Sequence, residues 1–245
     1  MPALPALTET EFSRQLGEFC SADLAAGTLQ RLFVHYEELR QWAGTIALIG
    51  PGAVGELFER HYAESLAALP WLPALPALPA LPVPPSLPAL PSLSPPLPQA
   101  TDGSGARLLD LGSGAGFPGW ILAAARPDLA VTLVEARERK WAFLATAARR
   151  ARLSCRCLNA RVSTHSLAEF PGRIDLVTVR ALRLEGKTWT ALLPHLAPGA
   201  RVLLWSGEIA EPPPAPFVAG RTLALSGSHR FLREYGLPID LPGNE

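Results

Sequence analysis

The stretch LLDLGSGAGFPGW, residues 108–120, constrains this chain more than any other, because an apolar run passes directly into glycines at 112, 114 and 116 and then into the start of a helix. Glycine at alternate positions suits a backbone that turns through positive φ and lies against something a side chain would push away. A strand, a glycine turn and a helix in that order build the first unit of an open α/β sheet, whose ligand crevice lies at the carboxyl ends of the strands. The sequence after Gln99 continues the pattern. Residues 107–111, 131–134, 155–158, 174–179 and 202–205 are short apolar runs, separated by helical periodicity over 119–126, 137–152 and 186–196. This alternation predicts a doubly wound, Rossmann-like α/β sheet. Two further strand candidates, 221–225 and 230–235, have only residues 226–229 between them. That is too short for a crossover, so an antiparallel C-terminal hairpin is expected to close the sheet.

Upstream the periodicity is helical. Thr8 with Glu11 three residues later is a capping-box signature, and Phe12, Leu16, Phe19 and Cys20 follow on one face. Leu29, Leu32, Phe33, Tyr36, Leu39 and Ala43 continue at helical spacing, Gly50-Pro51-Gly52 interrupts, and Leu57, Phe58, Tyr62, Leu66 and Leu69 make a third stripe. Residues 1–69 are therefore expected to form a small N-terminal helical unit. Residues 70–100 then repeat Leu-Pro-Ala without a glycine or a charge. Proline at that density excludes helix, sheet ladder and bilayer span alike, so an extended or disordered linker is expected there, followed by an α/β domain over 101–245.

Apolar residues occupy 48% of the 245 positions, enough for a sizeable core. The formal net charge is zero, so any electrostatic footprint for nucleic acid must be local. Cys20, Cys155 and Cys157 supply neither a disulfide framework nor a four-ligand metal site. The expectation is a monomer in a reducing cytoplasm, with no metal, no membrane contact and no targeting segment.

Two ligand classes suit the glycine loop. Gly114-x-Gly116-x-x-Gly119 satisfies the dinucleotide pattern literally. In that pattern, however, the first glycine follows the strand directly, whereas here Asp110-Leu111-Gly112-Ser113 comes first and Pro118 would fall inside the pyrophosphate turn. S-adenosylmethionine accounts for more of the residues. Its ammonium can be attracted by Asp110, directly or through water, and Gly112, Gly114 and Gly116 leave room for the rest of its amino-acid moiety. Glu135, at the end of the second strand, can accept both ribose hydroxyls. An acid at 135 would serve NAD equally well, so Asp110 and the offset of the glycines decide for the methyl donor.

The strand that should deliver catalytic residues reads IDLVTVRALR. It holds no Asn-Pro-Pro-Tyr sequence to grip an exocyclic amine and no Pro-Cys nucleophile for pyrimidine C5. An acceptor with an exposed lone pair, such as guanine N7, needs alignment and no general base. Between Arg137 and Arg161 there are eight basic residues, Arg137, Arg139, Lys140, Arg149, Arg150, Arg152, Arg156 and Arg161, against one acid, Glu138. Part of that charge could steer a phosphate backbone toward the crevice, while a solvated helix face accounts equally well for Arg149, Arg150 and Arg152.

Taken together, these residues resemble the small-subunit ribosomal RNA methyltransferase G family, also called glucose-inhibited division protein B. The loop DLGSGAGFPG followed by ARPDLAVTLVEARERKWAFL, the Phe117-Pro118-Gly119 step, Trp42, and RHYAES over 60–65 carry the likeness. The resemblance implies a class I fold and S-adenosylmethionine-dependent methylation of guanine N7 in 16S ribosomal RNA, with that RNA or the small subunit as partner. It implies that Gly112 and Phe117 line the cofactor, that Val162 and Ser163 border the adenine, and that Arg180 of VRA stands at the active site. Arg180 could equally be an ion-pair partner of Asp175 or Glu185, and His61 reads as a capping or packing residue. The chain departs from the family at Ser206-Gly207, where a Lys-Gly pair is usual. A methyltransferase for a small molecule or protein, or a non-catalytic RNA-binding relative, are the alternatives.

Overall fold

A computed structural model of the chain describes residues 4–73, 105–163, 173–209, 211–225 and 229–239. Of the expected linker, 74–100 lies outside the described residues. Its first residues are described: a 3-10 turn covers Leu69–Trp71, and the Pro73 carbonyl accepts from Arg126 Nη2 at 2.9 Å.

Seven strands form one sheet: β1 Arg107–Leu111, β2 Ala130–Glu135, β3 Cys155–Asn159, β4 Ile174–Arg180, β5 Leu196–Gly207, β6 Val218–Ala224 and β7 Arg230–Gly236. Their order is β3-β2-β1-β4-β5-β7-β6. The first five pair in parallel with one another, and β7 pairs antiparallel with both β5 and β6. β5 begins earlier than its apolar run suggests, because the chain leaves α6 (Gly186–Leu192) through a 3-10 turn, Leu193–His195, and joins β4 with a register shift.

Period-2 alternation divides the strand residues between two cores. Leu108, Leu133, Leu176 and Leu203 face one cluster with α4 (Gly119–Ala125) and α5 (Glu138–Arg150). Leu109, Val134, Val177 and Val202 face the other, which α6 closes with Trp189 and Leu192. The N-terminal helices share the first cluster. The capping box of α1 (Glu9–Gly17) forms as read, with Glu11 N–H to Thr8 Oγ1 at 3.2 Å and Thr8 N–H to Glu11 Oε2 at 2.8 Å. Phe12 then sits among the rings of Tyr36, Phe58 and Tyr62, centroids 5.3 to 5.4 Å away. α2 (Ala26–Trp42) lies against α4 and α5.

The third apolar stripe is wound differently from its expected α-helix. Leu57–Ala63 is a π-helix that continues into one α turn, α3, Glu64–Leu66. The wider turn suits its apolar spacing, since Leu57 and Tyr62, five apart, are both buried. It also turns His61 and Glu64 toward the carboxyl ends of β4 and β5.

Candidate active site

The loop after β1 is tied down from three sides. The Gly112 and Ser113 N–H groups both donate to the Val134 carbonyl at 2.9 Å, which holds the loop against β2. The Glu135 carboxylate accepts from Gly114 N–H at 2.9 Å and from Arg137 N–H at 2.7 Å. From behind, His35 Nε2–H donates to the Ala115 carbonyl at 2.9 Å while Nδ1 accepts from the Tyr62 hydroxyl at 2.8 Å. Burial pushes the His35 imidazole down to about 4, so it stays neutral and keeps the tautomer that serves both partners.

Gly112 and Gly114 adopt φ of 72° and 56°, a conformation that disfavours side chains. Gly116 has φ 92°, and a Cβ there would lie 2.9 Å from Trp120 Cβ and 3.0 Å from His35 Nε2. Its small size therefore serves packing beneath the loop.

A cavity of about 900 Å³ opens at the carboxyl ends of β1, β2 and β4, within the size range of small-molecule sites. Gly112, Gly114, Phe117, Glu135, Val162, Ser163 and Arg180 line it. Of the residues expected in the site, Gly116 and Asp110 do not. Asp110 is a correction to the direct-contact reading: its side chain is 1% exposed beneath the loop, and Thr178 Oγ1 donates to its Oδ1 at 2.7 Å. Burial raises it to about 6 against the hydrogen bonds that Ser113 and Thr178 contribute. The carboxyl packs so tightly on the start of α4 that a Cβ at Gly119 would stand 2.4 Å from both Asp110 Cβ and Cγ. Asp110 thus shapes the loop from below.

On the opposite wall, Arg180 ends β4 with its side chain 11% exposed. Its Nη2 donates to Glu64 Oε2 at 2.8 Å and to the Arg60 carbonyl. Glu64, 2% exposed, also takes Arg230 Nε on Oε1 at 2.6 Å, and its carbonyl accepts from Trp205 Nε1 at 2.9 Å. The ion-pair partner of Arg180 is therefore Glu64. Asp175 instead accepts from the Arg107 N–H at 2.8 Å, and Glu185 pairs with Lys187 at 2.8 Å. His61, set aside on the sequence, lines the cavity with its ring 4.9 Å from that of Phe117. The signal that could have flagged His61 and Glu64 was their joint presence in RHYAES.

The charge cluster on and after α5 divides. Arg137, Lys140 and Arg161 line the cavity, whereas Arg150 is bound to Glu38, with Glu37 at 3.7 Å. At position 206, Arg233 reaches across from β7 and donates to Ser206 Oγ, to the Gly207 carbonyl at 2.8 Å and to the Glu208 carbonyl at 2.9 Å. A guanidinium thus stands beside the serine.

The sheet order, its antiparallel β7, the glycine loop after β1 and the acid ending β2 define a Rossmann-like class I methyltransferase fold. The family model for the rRNA small subunit methyltransferase G matches residues 94–212. Three proteins named Ribosomal RNA small subunit methyltransferase G are similar over most of the chain. That of Paramagnetospirillum magneticum is 33% identical over 75% of this chain and 73% of its own. That of Myxococcus xanthus is 34% identical over 80% and 75%, and that of Corynebacterium jeikeium 32% over 76% and 71%. The chain belongs to the ribosomal RNA small subunit methyltransferase G family.

Proposed function

We propose that the protein methylates guanine N7 in the 16S ribosomal RNA of the small subunit, using S-adenosylmethionine. The reading rests above all on the cavity, which faces a glycine loop and a strand-end carboxylate on one side and a charged, buried arginine on the other. Gly112 and Gly114 present bare backbone where an amino-acid moiety can lie. Glu135 has lone pairs beyond those used by Gly114 and Arg137, and these suit the ribose hydroxyls. Val162 and Ser163 form the stretch of rim that borders the adenine. Asp110 contributes by holding the loop in shape, through Thr178 and through its contact with Gly119.

When bound, the cofactor supplies a methyl group on a sulfonium, an electrophile that a guanine N7 lone pair attacks without a general base. What the protein has to do is align the two and exclude water. Arg180 orients the acceptor, and the cationic rim of Arg137, Lys140 and Arg161 favours a phosphate backbone. Arg233 supplies a cation near Ser206, in the region where the family's lysine would stand.

The test is purified protein with labelled S-adenosylmethionine and small ribosomal subunits lacking the modification. Label recovered as 7-methylguanosine supports the reading. Label on a small molecule or a protein, with the subunits and their RNA untouched, moves the acceptor elsewhere. RNA binding without turnover makes the chain a non-catalytic relative.

A further inference from the structure

Two cavity-lining residues carry buried polar atoms with no hydrogen-bond partner among the described residues: Arg180, at Nη1, and His61, at both ring nitrogens. Buried polar atoms are seldom left so, because an unmade hydrogen bond costs stability, and a cavity that collects them calls for a ligand of complementary pattern. The surroundings define that pattern. Arg180 cannot turn away, since Nη2 is held by Glu64 Oε2 and by the Arg60 carbonyl, and Glu64 is in turn held by Arg230. Arg60 immediately precedes His61, so the imidazole stands one peptide from the anchor of the guanidinium. The Phe117 ring covers the imidazole at 4.9 Å and 36°, joining it to the glycine loop. His61 therefore touches the glycine loop through Phe117 and follows directly on the residue whose carbonyl holds Arg180.

Arg180 Nη1 can only donate. The imidazole is flanked by the guanidiniums of Arg60, Arg180 and Arg230, and Glu64, the acid beside them, has both oxygens engaged by arginines. Burial and those three cations hold its pKa near 3. It is thus neutral, with one nitrogen able to accept.

We propose that Arg180 Nη1 and the unprotonated nitrogen of His61 read the acceptor guanine along its O6 and N1–H edge. The inference rests on the guanine-N7 reading above. O6 accepts from Nη1 and N1–H donates to His61, while N7, on the other side of O6, keeps its lone pair free. Adenine offers an amino group and a bare N1 in those two places, so a donor would meet the donor of Arg180. The N1–H half of the edge also gains from the reaction, whereas O6 becomes a weaker acceptor and leaves Arg180 as a positioning contact. The N7 lone pair forms the new N–C bond as the C–S bond of the methyl donor breaks, and the bonding pair stays on sulfur. No proton leaves and the purine becomes a cation. Its N1–H grows more acidic, so the bond to His61 strengthens in the transition state and acts on kcat.

The test uses the full chain, labelled S-adenosylmethionine and unmodified small subunits. His61→Phe keeps a ring against Phe117 and removes both nitrogens, and His61→Gln restores an acceptor oxygen. We expect kcat to fall about 30-fold in His61→Phe and to recover about tenfold in His61→Gln, with KM for subunits and calorimetric S-adenosylmethionine affinity each within about threefold of wild type. Thermal melts check folding, and should His61→Phe not fold, His61→Leu set against His61→Gln gives the same contrast. A His61→Phe enzyme whose kcat stays within about twofold of wild type overturns the proposal, and so does a loss that falls wholly on cofactor affinity. If the wild type leaves the subunits unlabelled, the rRNA reading fails and takes the inference with it. A wild type that makes 7-methylguanosine beside an unaffected His61→Phe sinks the inference alone.

Discussion

The two walls of the cavity are built in opposite ways. The wall of Gly112, Gly114, Phe117 and Glu135 comes from the ends of two adjacent strands, and its bonds run from loop backbone to Val134 and Glu135. The wall of His61 and Arg180 is assembled from distant segments: Glu64 is 116 residues from Arg180 and 166 from Arg230. The first wall is a property of a local stretch of chain. The second exists only when the N-terminal helices dock on the sheet. Damage to the first should therefore appear in the local fold and in cofactor affinity, and damage to the second in docking and on the acceptor side.

The severest test of the local wall is Gly119→Ala, whose Cβ would stand 2.4 Å from Asp110 Cβ and Cγ. A loss on the order of 4 kcal/mol, or no soluble protein, is expected in urea denaturation. Gly55→Ala, which meets nothing within 4 Å, serves as the control. Equal stability of the two variants would show that the loop is not tightly held.

Glu64→Ala tests the assembled wall. It leaves Arg180 and Arg230 without their shared carboxylate, and breaking a buried pair in this way should cost about 3 kcal/mol of unfolding free energy. Calorimetry on the folded variant should still find S-adenosylmethionine binding close to wild type, whereas methyl transfer should be crippled. Cofactor affinity lost in step with transfer would mean that the walls are not separable.

Behind the local wall lies His35, and pH exposes it. Its folded pKa of about 4 is below the ordinary 6.5, so under pH 6.5 the unfolded chain takes up a proton that the folded chain refuses, and stability falls until pH 4. His61, held near 3, acts in the same direction. Asp110, raised to about 6 from 3.8, acts in the opposite one, since the folded chain holds a proton between those values that the unfolded chain lacks. His61 and Asp110 roughly offset each other, leaving a net loss of about 3 kcal/mol from pH 6.5 to 4. Urea midpoints measured across that range should fall for the wild type and stay nearly level for His35→Gln. Parallel curves would remove His35 from the account.

The smallest effect expected is that of Glu135→Ala, which should weaken S-adenosylmethionine by about 2 kcal/mol through lost charged hydrogen bonds. Calorimetry checks it, with RNA affinity at fixed salt expected to stay unchanged. A variant that instead loses RNA and keeps cofactor would reverse the assignment of the two walls.

Local pattern determined the parts of this protein that local physics controls. Short apolar runs marked the five parallel strands, with β5 and β6 both beginning earlier than expected, the short connection announced the hairpin, and the glycines with Glu135 marked the cavity. The strands and the hairpin depend on residues within a few positions of one another, and Glu135 meets the loop only 21 residues on from Gly114, at the end of the next strand. Alternation of period two could have corrected Asp110: it shares a face of β1 with Leu108, toward α4, and so packs on Gly119 beneath the loop. Gly116 looked like room for a ligand until the fold brought His35 against it. The remainder was decided by tertiary structure alone. His35 met Ala115, Glu64 took Arg180 and Arg230, and Arg233 reached Ser206. Such pairings follow from which helix face docks and which strand edges join, and the favourable energy of burying those surfaces carries no mark in the spacing of the residues it brings together.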